Sequence, residues 1–105
     1  MMMNKNDDTA YLSKVAIRFC NEYIGLCNLE RKIRKLGEEV AEFCQAVGTN
    51  NKDRMREELG DILFIVNHMT DALDTTLYDL LSETLDKLEN RITNPNYKRH
   101  DKNGS

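Results

Sequence analysis

A chain of 105 residues, 40% hydrophobic and 31% charged, holds one small globular domain and too little core for two. Its formal net charge of −3 gives no broad basic field, so a duplex-reading nucleic-acid protein is disfavoured, and no segment approaches the ~20 apolar residues of a membrane span. Three cysteines, Cys20, Cys27 and Cys44, form an odd set with no C-x-x-C pair, each in a helix-like segment, and read as reduced thiols of a cytoplasmic protein.

The single proline, Pro95, leaves everything from Thr9 to about Arg91 free to be helical. A first helix is expected over about 9–25, with Phe19 and Tyr23 in the core. Asn28 is placed to cap a second over 29–47. Gly48-Thr49-Asn50-Asn51 then supplies a glycine for the helix C′ position and an asparagine for the next N-cap, opening a third helix over 51–73. Asp74-Thr75-Thr76 offers caps for a fourth over 76–91. The expected organisation is one helical domain over 1–92 and a flexible polar tail over 93–105.

The two central helices carry the clearest periodicity. Leu29, Ile33, Leu36, Val40, Phe43 and Val47 step by four and three, and Met55, Leu59, Ile62, Val66, Met69 and Leu73 repeat the alternation. Each helix thus presents one apolar stripe, and short connections favour antiparallel neighbours, so the expected class is an all-α, four-helix bundle-like subunit. The run Ile62-Leu63-Phe64-Ile65-Val66 is apolar on every side. That places the third helix at the centre or in a homo-oligomer interface, a homodimer or homotetramer.

Carboxylates gather at the borders of both stripes. At ~100° per residue, Glu39 and Glu42 lie roughly 80° and 140° from the middle of their stripe, while Glu58 and Asp61 lie roughly 60° and 120° from theirs, displaced in the same sense. Glu38 and Glu57 point outward. On antiparallel helices the four acids converge at the rim of the core, where like charges repel unless a cation neutralises them. An all-oxygen cluster suits a hard cation, Mg²⁺ in particular. The plainer alternative is a solvated face paired to Lys35, Arg54 and Arg56. A di-iron bundle would want E-x-x-H motifs, and none is present. His68 reads as a packed histidine and Cys44 as a core cysteine.

Glu38-Glu39-x-x-Glu42 followed by Glu58-x-x-Asp61, within "KLGEEVAEFCQAV" and "REELGDILFIV", resembles the E-E-x-x-E … E-x-x-D signature of MazG-like all-α nucleoside triphosphate pyrophosphohydrolases. The resemblance covers about residues 29–91 and takes in Lys35 and Lys87-x-x-x-Arg91. It departs at Arg91-Ile92-Thr93-Asn94-Pro95, where an arginine-aromatic-proline ending is usual. It implies Mg²⁺-dependent hydrolysis of (deoxy)nucleoside triphosphates to monophosphate and pyrophosphate, a house-cleaning of the nucleotide pool, with Mn²⁺ as a substitute metal. It also implies Glu39, Glu42, Glu58 and Asp61 as metal ligands, Glu38 and Lys35 as catalytic residues, and Lys87 and Arg91 as phosphate-binding residues. Two alternatives stand beside it. One is a phosphoribosyl-ATP pyrophosphatase of histidine synthesis, and the other a non-catalytic helical interaction module.

Overall fold

The computed structural model describes residues 5–94 and residue 96, with side chains from Asp8 onward. Four helices make up the fold, α1 (Lys5–Tyr23), α2 (Leu29–Gly48), α3 (Lys52–Ala72) and α4 (Leu77–Thr93), and there is no strand among the described residues. Tyr97, Lys98 and Arg99, to which a substrate role could be given, lie outside those residues.

Local chemistry sets the ends. The Asn28 side chain accepts a hydrogen bond from the Arg31 amide at 3.1 Å, Asn51 from the Arg54 amide at 3.1 Å, and Thr76 from the Asp79 amide at 3.1 Å. Each thereby satisfies one of the amides that a helix start leaves unpaired. The α2–α3 turn departs from expectation. Gly48 stays inside α2, and the left-handed position falls to Asn50 at φ 53°, while the Asn51 amide donates back to the Ala46 carbonyl at 3.0 Å. Asparagine tolerates that region because its short polar side chain can bond locally, and Asp74, at φ 53° before α4, is used the same way. Gly25 closes α1 at φ 115°, which puts Cys27 in a loop and not in a helix.

The α2–α3 hairpin has the closest packing; α1 lies against α3, and α4 leans mainly on α1. The α1–α3 seam is polar. Ser13 Oγ donates to Asn67 Oδ1, and Asn67 Nδ2 returns a bond to the Ser13 carbonyl at 3.0 Å. Fully buried His68 meets Asn21 Oδ1 through Nε2 at 3.1 Å, and Asn21 Nδ2 donates to Asp71 at 3.2 Å. That partner assigns the Nε2–H tautomer. Burial holds the imidazole below its usual range, so it is a packed histidine, as expected. Phe19 meets Phe64 edge-on at 6.3 Å.

Other core expectations fail. Phe19, Tyr23 and Cys44 are exposed, and among the described residues the buried apolar side chains are Cys20, Ala46 and Ile65 alone. Leu81, Leu85, Leu88 and Ile92 on α4 stand in the open, as do Ile33, Val40 and Val47 on α2. The run 62–66 divides: Ile65 is buried, Ile62 and Val66 half-buried, Leu63 and Phe64 exposed. Much of the chain's apolar surface is thus exposed among the described residues.

Candidate functional site

Close packing of α2 on α3 sets Glu39 against Glu58, with Asp61 one turn further along α3. One carboxylate oxygen from each of the three can be chosen so that all lie within 4.8 Å of one another. Their depths follow the angles read from the sequence. Glu39 and Glu58, nearest their stripes, are 6% and 8% exposed, whereas Glu42 and Asp61, farther round, are exposed. The fourth acid, Glu42, falls outside the compact trio but lies close enough to interact with both buried carboxyls.

Counter-charge at the trio is thin. Lys35 Nζ is 3.3 Å from Glu39 Oε1 and 3.7 Å from Glu38 Oε2, and Arg54 Nε reaches Glu58 Oε1 at 3.9 Å. All of these contacts join residues three or four apart on one helix, and in each the cationic side chain is substantially open to solvent, so little of the buried charge on Glu39 and Glu58 is offset. The second oxygens, Glu39 Oε2 and Glu58 Oε2, are buried with no hydrogen-bond partner. Buried polar atoms are rarely left so, and a cation is one kind of partner that would satisfy such oxygens.

The proton balance agrees. Hydrogen bonding to Glu39, then burial, then Glu42 push Glu58 up to about 7, while Glu39 is held below the ordinary carboxylate range, chiefly by Glu58 and, against the opposing effect of burial, by Lys35. Two carboxyls sharing a site cannot both ionise freely, so Glu58 takes up a proton as pH falls through about 7. In the metal-free protein this has a sign. A folded-state value raised from 4.5 to about 7 gives stability that is full below pH 4.5 and lost as pH rises through 7. His68 acts in the opposite sense, its depressed value removing stability as pH falls below 6.5. The difference between wild type and Glu58→Gln isolates the first effect. In EDTA, the wild-type melting temperature is expected to fall relative to the variant between pH 5 and pH 8, and a difference that stays flat would count against the raised proton affinity of Glu58.

Glu38 sits on the outer face of α2, tied to Lys35 and away from the trio. Lys87 and Arg91 lie one turn apart on an exposed face of α4, beside Glu83, Asp86, Asn90 and Asn94. Helix α4 packs mainly on α1, and no ion pair joins Lys87 or Arg91 to the acids among the described residues. One feature escapes the sequence reading, the raised proton affinity of Glu58, which depends on how closely the helices approach; the contacts of Lys35 with Glu39 and of Arg54 with Glu58 are pairings that the plainer alternative names.

The family model described as the MazG nucleotide pyrophosphohydrolase domain matches residues 28–95, from the cap of α2 to just beyond α4. A curated phosphoribosyl-ATP pyrophosphatase of Methanosphaerula palustris is 41% identical over 63 residues, a match that spans 60% of this chain and 60% of that protein. No solved structure matches the chain significantly.

Proposed function

Since the chain belongs to the MazG nucleotide pyrophosphohydrolase domain family, we propose that it hydrolyses (deoxy)nucleoside triphosphates between the α and β phosphates, giving monophosphate and pyrophosphate. The observation that carries this reading is the close grouping of Glu39, Glu58 and Asp61, in which Glu39 and Glu58 are buried and each has one oxygen without a hydrogen-bond partner. Those three carboxylates, with Glu42 at the rim, would hold Mg²⁺, or Mn²⁺ in its place. All-oxygen donors, with Asp61 and Glu42 open to solvent, suit a hard cation that keeps waters and also meets phosphate. Once bound, the metal supplies charge stabilisation to the phosphates and lowers the cost of activating a water.

The remaining work falls to this chain's side chains. Phosphoryl transfer asks for an in-line nucleophile and for cations that offset developing charge. Glu38, outside the trio and free of burial, is the carboxylate available to orient or deprotonate the attacking water. Lys87 and Arg91 would meet the outgoing pyrophosphate as point charge and fork. That no ion pair joins them to the acids among the described residues supports a homo-oligomer, dimer or tetramer, in which a neighbour's α4 completes the site. The exposed stripe Leu81-Leu85-Leu88-Ile92 supports it too.

The nucleotide panel decides. The purified protein is incubated with Mg²⁺ and each of the dNTPs, NTPs and phosphoribosyl-ATP, and pyrophosphate is followed. Release from simple triphosphates is expected. Turnover of phosphoribosyl-ATP in preference to all of them would favour the second reading, for which the 41% identity to the Methanosphaerula enzyme is the specific support. No release across the panel, or release of single phosphate, would leave the helical interaction module.

A further inference from the structure

In the structure Lys35 already occupies the place of a cation. Its ammonium is 3.3 Å from Glu39 Oε1, beside the buried Oε2 atoms of Glu39 and Glu58, which have no hydrogen-bond partner. Yet the lysine is poorly anchored there. Its side chain is more than half exposed, its stem is flexible, and its second contact, Glu38 Oε2 at 3.7 Å, lies on the outer surface and outside the trio. A carboxylate that binds a divalent ion has little use for an ammonium beside it: the two cations compete for the same oxygen and repel one another. The substrate adds several negative charges at the same mouth.

On the reading of Glu39, Glu58 and Asp61 as a Mg²⁺ site, we propose that Lys35 is a resident counter-ion that exchanges. It neutralises Glu39 while the site holds no metal, with Glu38 keeping it at the mouth, yields that oxygen when Mg²⁺ enters, and turns to the triphosphate. Glu38 is then a positioning residue for Lys35 in the metal-free state, in addition to its proposed part in orienting the attacking water.

The exchange predicts effects of opposite sign from one substitution. Lys35→Gln removes the competing charge, so Mg²⁺ should bind about three- to tenfold more tightly in calorimetric titration without nucleotide, an effect that shrinks as salt is raised. The same substitution removes a phosphate partner, so KM for the nucleotide should rise about tenfold. Glu38→Gln leaves the ammonium to Glu39 alone and should weaken Mg²⁺ binding about two- to threefold. Lys35→Arg keeps the charge and serves as the folding control, with Mg²⁺ affinity near that of wild type. Mg²⁺ binding by Lys35→Gln that is unchanged or weaker overturns the exchange, whatever happens to activity. A wild-type chain that binds no Mg²⁺ overturns the cation site itself, and the exchange with it.

Discussion

Glu58→Gln is expected to reduce Mg²⁺-dependent pyrophosphate release by a factor on the order of 10³ while leaving the metal-free protein as stable as wild type or more so. The reasoning begins with position. Glu58 is buried, its neighbour across the helix interface is Glu39, and one oxygen of each lacks a partner. A carboxylate in that setting destabilises the metal-free fold and is useful only to something positive. Glutamine keeps the volume and much of the hydrogen-bonding capacity but carries no charge, so the repulsion with Glu39 and Glu42 disappears. Loss of one of few carboxylate donors removes several kcal/mol of charge stabilisation, and about 1.4 kcal/mol corresponds to a tenfold change in rate. Two measurements on the same preparation check this: pyrophosphate release under saturating substrate, and thermal melts with and without Mg²⁺. Wild type should gain stability from Mg²⁺ and the variant should not. Full activity in Glu58→Gln would refute the assignment of Glu58, and a variant that fails to fold would show that the carboxylate supports the packing.

The same residues show how far a sequence carries such a conclusion. Helical periodicity is a property of one helix at a time, and it ranks the four acids by depth, with Glu39 and Glu58 inside and Glu42 and Asp61 outside. It misplaces the inward faces, however: Ile33, Val40 and Val47 of the α2 stripe and Leu59 and Leu73 of the α3 stripe are exposed, while Glu39 and Ala46, Glu58 and Ile65 are buried. Three caps followed from residue type, because Asn28, Asn51 and Thr76 offer an acceptor where a helix start needs one. What escaped depends on two elements at once. Phe19 and Tyr23 look like core because they are aromatic, but α1 joins α3 largely through Ser13–Asn67 and Asn21–His68, and the rings lie beside that seam. Gly48 looked like the residue for a left-handed turn, but α2 runs through it and Asn50 takes the position instead. The protonation of Glu58 was out of reach for the same reason, since it arises from another helix. That Lys87 and Arg91 make no ion pair with the acids goes with the packing of α4 on α1, and no spacing within α4 encodes that packing.

The exposed stripes lead to the other large effect, that of a charge placed on one of them. Val40→Glu on α2 and Leu85→Glu on α4 are each expected to dissociate the proposed homo-oligomer and unfold most of the chain. The described residues bury only Cys20, Ala46 and Ile65 among apolar side chains, far too little for an independent domain of this length. Meanwhile Leu81 stands 70% exposed and Ile92 70%, with Ile33, Val40 and Val47 spaced seven apart along α2. Burying a side chain of this kind contributes about 1.5–3 kcal/mol, so a handful per subunit equals the whole stability of an ordinary small domain. A glutamate set into such an interface brings an unpaired charge that association would have to desolvate. Folding and assembly are then one equilibrium, and the wild-type melting temperature must rise with protein concentration. Light scattering coupled to gel filtration, with circular dichroism on the same samples, checks both points. Dimers or tetramers are expected for wild type, and lost helicity for the two variants at micromolar concentration. A wild-type monomer whose melting temperature ignores concentration would refute the assembly, and with it the approach of a neighbour's Lys87 and Arg91 to the acids.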